Sequence, residues 1–151
     1  MSETASTSIH CMLIPLRENL LLLPNTTVAE IVSLPTIKPA DHSPEFWAGL
    51  CTWRSRQIPI IDFEGLFDNS TADTDNASRL CVLNSINTAA NLNFYGLLCY
   101  GSPQLITLNE SILEAVDGPV QNFIHNYINI ASTAAIIPNL DIIEAAITQT
   151  N

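Results

Sequence analysis

At 151 residues, the chain is long enough for one domain to bury a core without disulfides or metals. A formal net charge of -10 and a pI of about 4.3 set up a field that repels phosphate backbones and anionic lipid, which disfavours nucleic-acid and membrane roles. Hydrophobic residues make up 47% and charged residues only 13%, so the core is expected to be large relative to the shell.

No stretch reaches the length of a bilayer span. The segment Met1–Ser8 is polar, carries Glu3 and lacks the Lys or Arg of a signal peptide, so a cytoplasmic location is expected. The Asn-x-Ser/Thr sequons at Asn25, Asn69, Asn76 and Asn109 then read as accidents of composition. Residues 1–7 are expected to be a flexible tail and residues 8–151 a single domain.

Ser8 to Leu16 predicts a first strand, Arg17-Glu18-Asn19 a polar turn and Leu20 to Leu23 the hairpin partner. Pro24 to Thr27 breaks the run before a strand at Val28–Val32. Pro35 and Pro39 make Leu34 to His42 an extended connector. Ser43-Pro44-Glu45 has the pattern of a helix start, with Gly49 ending a single turn. Leu50–Trp53 and Gln57–Phe63 form a hairpin around Arg54-Ser55-Arg56, and Pro59 predicts an edge or bulged second arm.

Asp68 to Ser78 is an acidic loop. Arg79–Leu83 and Phe94–Tyr100 predict another strand pair, followed by a turn at Gly101-Ser102-Pro103, a strand at Gln104–Leu108 and a turn at Asp117-Gly118-Pro119. Val120 to Ile137 fits period 2 and period 3.6 in different parts. Asn139 caps a closing helix with Leu140, Ile143 and Ile147 on one face. Many short strands at this spacing give a barrel or a sandwich.

Chemistry-bearing patterns are sparse. Cys11, Cys51, Cys81 and Cys99 sit among apolar neighbours and never form Cys-x-x-Cys, so they read as small core hydrophobes. His10, His42 and His125 are scattered without metal-ligand spacing. Phosphate-cradling glycine loops and Gly-x-Ser-x-Gly are absent from the sequence. No catalytic residue, metal or cofactor is assigned. Arg54 and Arg56, two of five fixed cations, make a positive spot on an acidic protein, with Trp53 beside them. They suit docking on a partner carboxylate, or are solvated turn residues paired with Asp62 or Glu64. Val28 and Glu30, two apart, share one strand face as a mixed patch, or place Val28 in the core with Glu30 at its rim.

Val28-Ala29-Glu30-Ile31 and the run from Gly49 through Trp53-Arg54-Ser55-Arg56 to Pro59 and Asp62-Phe63 resemble the signature of CheW-like coupling proteins. Gly96-Leu97-Leu98-Cys99-Tyr100-Gly101 is similar to a later family strand, and Ile136 to Ile143 to its last strand and terminal helix. Ser55 replaces the glycine that follows the arginine, Tyr100 replaces Asp, and Ile130–Ile137 lacks glycine-rich turns. These departures suggest a divergent member, of the type IV pilus (twitching) chemosensory kind.

The resemblance implies a mainly β fold of two small five-stranded SH3-like β-barrel subdomains sharing a core, with a C-terminal helix. It implies a non-catalytic adaptor without a cofactor. Its partners would be the regulatory domain of a CheA-type histidine kinase and the cytoplasmic tip of a methyl-accepting chemoreceptor, with self-association into arrays and no direct membrane insertion. Val28, Glu30, Trp53, Arg54 and Arg56 become the expected receptor interface. Gly49, Pro59, Asp62, Gly96 and Gly101 become motif positions, with Asp62 a hairpin-stabilising or capping acid. An orphan SH3-like peptide-binding module is the main rival, and a ligand-binding or enzymatic barrel a further one.

Overall fold

The computed structural model describes residues 8–39, 46–68, 74–86, 92–109, 113–119 and 121–148. The expected tail at 1–7 and the helix start at 43–45 lie outside them. In chain order the strands are β1 (Ile9–Pro15), β2 (Leu20–Pro24), β3 (Val28–Ser33), β4 (Trp47–Trp53), β5 (Arg56–Ile61), β6 (Arg79–Asn84), β7 (Phe94–Cys99), β8 (Gln104–Leu108), β9 (Leu113–Val116), β10 (Ile124–Ile130) and β11 (Thr133–Pro138). A short helix α1 (Gly65–Asp68) follows β5, and α2 (Leu140–Thr148) closes the described chain.

The strands form two sheets, ordered β8-β1-β2-β11-β10-β9 and β3-β6-β7-β5-β4. Each curls into a small barrel, and one apolar layer lies between the two. Side-chain alternation along each strand builds this layer. In β2, Leu21 and Leu23 face the shared core, while Leu22 faces the first barrel's own interior. In β6, Cys81 and Leu83 face the shared core, and Leu80 and Val82 fill the second barrel. Ile61 and Phe63 against Ile58 and Ile60 repeat the division after β4. Strands buried on both faces read as continuous apolar runs, and this accounts for the low charged fraction.

Helix α2 covers the shared core with Leu140, Ile143 and Ile147. The Asn139 cap acts through its side-chain oxygen, which accepts the Ile142 N–H at 3.3 Å. On the same helix Glu144 is fully buried. Its carboxylate accepts Ser85 Oγ at 2.8 Å, the Ile86 N–H at 3.0 Å and Tyr95 Oη at 2.7 Å.

Several expectations are corrected. Gly49 ends no helix: it lies inside β4 with φ +145°, at a bulge where Trp47 pairs Ile61 and Gly49 pairs Ile60. Pro59 is on an interior strand, because β5 lies between β4 and β7. The bulge falls on β4 instead, and the parallel β7 ladder starts only at Ile60↔Gly96, one residue past the missing N–H. Val28 and Glu30 do not share a face. A bulge lies between them, with Val28 paired to Leu83 and Glu30 to Val82, and it resets the alternation. The ambiguous 120–137 region resolves into the β10–β11 hairpin, whose buried residues Ile128, Ile130, Ala135 and Ile136 follow strand pairing. The break at Pro24 to Thr27 is a short turn over Asn25–Thr27, while strand β9 and the helical turn at 65–68 carry no distinct sequence signal.

Both two-residue hairpin turns contain only non-glycine residues at positive φ: Arg54 at 48° and Ser55 at 63°, then Ala131 at 47° and Ser132 at 77°. These are type I′ turns, which match strand twist but cost an L-residue about 1–2 kcal/mol per left-handed position. The substitution Ser55→Gly is therefore expected to stabilise the protein by roughly 0.5–1 kcal/mol, after glycine's own entropy is deducted. Thermal unfolding measures it, and an unchanged or lower midpoint contradicts it.

All four cysteines are buried and free. The Cys81 thiol is pushed well above its ordinary 9.0 by the hydrogen bond it shares with Cys99 and by burial. Burial, then the Glu144 carboxylate, pushes the Tyr95 phenol above its ordinary 10.0. Both shifts favour the neutral form in the fold, so their stabilisation is complete below the unfolded values and disappears as pH rises past them. The urea midpoint is expected to hold up to about pH 9 and to fall steeply by about pH 10.5. A flat alkaline limb would show that neither group matters.

Candidate functional site

Residues from four strands and one hairpin turn meet at one end of the second barrel. Strand β3 contributes Glu30, β4 contributes Trp53 at its end, the turn contributes Arg54, and β5 and β7 begin with Arg56 and Phe94. Strands β3 and β4 are opposite edges of their sheet. Side chains join them here: Trp53 Nε1 donates to Glu30 Oε1 at 2.9 Å, and Arg54 Nη2 lies 3.2 Å from the same oxygen.

The Arg54 guanidinium also stacks over the Trp53 ring, 4.8 Å from its centroid. Trp53 and Phe94 pack with centroids 4.9 Å apart and planes tilted by 57°. The Arg56 guanidinium lies 5.2 Å from the centre of Phe94. Guanidinium over an aromatic face is an attractive geometry that leaves the charged edge in water. Trp53 is 8% exposed, and the Arg54 side chain is 66% exposed. The site is thus a rigid aromatic base presenting two cations.

Glu30, Trp53, Arg54 and Arg56 therefore come together, while Val28 does not join them. It packs instead on the shared core, on the other side of the bulge. Sequence reading missed Phe94, which links Trp53 to Arg56. Its only sequence signal was an aromatic residue opening a strand.

The acids Asp62 and Glu64 do not pair with the hairpin arginines. Arg17, from the β1–β2 turn of the other barrel, places Nη2 at 2.9 Å from Asp62 Oδ2 and Nε at 3.5 Å from Glu64 Oε1. Glu64 also accepts the Arg17 N–H, the Glu18 N–H and Asn19 Nδ2, each at 2.8 Å. Asp62 is fully buried, and its pair with Arg17 braces the two barrels. The motif glycines have steric reasons. A Cβ on Gly96 would meet Ile60 Cδ1 at 2.5 Å inside the second barrel, and one on Gly101 would meet the Pro15 ring at 3.0 Å.

Among the described residues, no cluster of three or more His, Cys, Asp or Glu has the arrangement of a metal site. No described helix is long and apolar enough to cross a membrane.

The crystal structure of the scaffolding protein TtCheW from Thermoanaerobacter tengcongensis matches with a TM-score of 0.72 and 22% sequence identity. The alignment covers 89% of this chain and 90% of that one, and at this identity the likeness speaks for the fold. No curated protein matches the sequence. The CheW-like domain family matches residues 10–146, from the first strand into the closing helix. A match spanning both barrels, their shared core and the braced turn between them shows that the chain belongs to the CheW-like domain family.

Proposed function

We propose that the protein is a non-catalytic, cytoplasmic chemosensory adaptor that couples the tip of a methyl-accepting chemoreceptor to the regulatory domain of a CheA-type histidine kinase. The observation that carries this reading is the family match over residues 10–146, which takes in both barrels. The structural relative with the same fold is described as a scaffolding protein. The mechanism is stoichiometric: docking on both partners raises their effective concentration, and receptor state shifts the populations of packed arrangements. Self-association into arrays belongs to the same proposal. Ser55, Tyr100 and the glycine-free turn at Ala131-Ser132 support placement with type IV pilus systems.

The receptor face is the Arg54 cluster. Its aromatic base is fixed, and Arg54 offers its exposed edge to a carboxylate on a receptor helix in exchange for Glu30. Arg56 extends the same positive spot through Phe94. Val28, packed on the shared core, does not line it.

Calorimetric titration of the full chain with a receptor-tip fragment and, separately, with the kinase regulatory domain tests the reading. Arg54→Ala is expected to weaken receptor binding about tenfold, the effect of losing one interface anchor of ~1–2 kcal/mol, and to leave kinase binding unchanged. The fold is expected to persist, because the Trp53–Glu30 bond closing the barrel remains. An unchanged receptor dissociation constant would remove Arg54 from the interface. Binding to neither partner, with binding to an extended peptide, would favour the orphan peptide module.

A further inference from the structure

The first barrel has an open seam that the adaptor reading does not use. Strands β2 and β11 run parallel but pair at a single position, Leu21↔Ile136. Toward Leu20 and Thr133 the ladder is not continued, and Leu20 and Thr133 to Ile136 line a groove of about 560 Å³ there. That volume lies in the range of sites that bind ligands or short segments. Leu16, Ile128 and Ile136 are buried along its floor.

One wall is built in advance. Tyr127 Oη donates to the Pro119 carbonyl at 2.7 Å, and Gly118 lies flat on the Tyr127 ring, where a Cβ would come within 2.4 Å of Cδ2. The rim is acidic. Exposed Glu18 and Asp117 line the groove, and among the described residues no Lys, Arg or His does. The adjacent cation, Arg17, is directed to Asp62 at 2.9 Å. Glu64 fixes the backbone of the turn that presents Glu18.

We propose that this groove docks an extended segment of a partner protein, apolar at its centre and flanked by Lys or Arg. Charge complementarity selects the basic flanks: two acids at the rim of a protein of net charge -10 attract cations and repel an acidic segment. The seam, laddered at one position only, selects extended backbone, which can add main-chain pairing alongside β2 or β11. A helix about 10–12 Å across would fill the volume in roughly one turn. The proposal is independent of the receptor face, which lies on the second barrel.

The test is an NMR titration of the isotope-labelled full chain with two synthetic hexapeptides. One has a Val-Pro-Leu-Val centre flanked by Lys and Arg; its twin carries Glu at both flanks. The basic peptide is expected to shift the amides of Leu20, Tyr127 and Ala134 and to bind at least tenfold tighter than its twin. The double variant Glu18→Lys, Asp117→Lys is expected to lose that preference at an unchanged melting temperature. Ala134→Trp, which narrows the groove without changing charge, is expected to abolish binding of the basic peptide. Equal binding of the twins, shifts centred on the Arg54 hairpin, or no binding of either up to millimolar concentration would overturn the proposal.

Discussion

Glu144→Ala is expected to destabilise the protein by roughly 2–4 kcal/mol, through the loss of hydrogen bonds to a charged acceptor, one of them fully buried. The carboxylate is fully buried and holds a hydroxyl, a backbone N–H and a phenol belonging to three different residues. Alanine strands the buried Tyr95 phenol, an unsatisfied group that costs about 1–3 kcal/mol, and removes the acceptor of the part-buried Ser85 hydroxyl and Ile86 N–H. Relief of the carboxylate's own desolvation offsets part of this. In a domain of this size each kcal/mol moves the melting point by about 2–4 °C, so a loss of about 10 °C is anticipated. Glu144→Gln should lie between, since it retains an acceptor for Tyr95 but turns an amide toward the Ile86 N–H. A calorimetric melting point of Glu144→Ala within about 2 °C of wild type would show that water replaces the carboxylate at little cost.

Gly49→Ala is the second large effect, at about 2–4 kcal/mol, combining backbone strain with a steric clash. A Cβ there would lie 2.2 Å from the Lys38 carbonyl oxygen and 2.9 Å from Ile37 Cγ2, on a backbone at φ +145°. The Lys38 carbonyl cannot simply move. Lys38 and Leu50 exchange two backbone hydrogen bonds of 2.8 Å that pin the 34–39 connector to β4. Breaking that bridge loosens the strand that ends in Trp53, so the proposed receptor binding should weaken along with stability. Gly101→Ala is the contrast, because its Cβ would meet only the Pro15 ring, at 3.0 Å. Chemical denaturation of both variants decides the point; equal losses would contradict the steric account.

The sequence exposed most strands because their apolar runs end at turns, as at Arg17-Glu18-Asn19 and Gly101-Ser102-Pro103. It gave the closing helix through Asn139 and the spacing of Leu140, Ile143 and Ile147, all of which the fold uses. It misread Gly49 as a helix end, because Trp47 and Gly49 are claimed by the ladder to β5. It gave Val28 and Glu30 a common face, because strand period 2 holds only until an extra residue enters the ladder.

The candidate site was legible in its charges and only partly in its geometry. Arg54, Arg56 and Trp53 were visible as neighbours, yet their partners Glu30 and Phe94 come from strands 24 and 38 residues away from Arg54 and Arg56 respectively (54 − 30; 94 − 56). The same holds for Arg17 with Asp62 and Glu64, and for Glu144 with Ser85 and Tyr95. By itself, the sequence determined a mainly β domain, most of its strands and its closing helix, its buried thiols and its family, because these follow from local periodicity, turn chemistry and motif. Only the tertiary structure decided which acids meet which bases, where bulges reset the alternation and where the seam between β2 and β11 opens. Those features depend on long-range pairing, and no local rule of side-chain spacing encodes it.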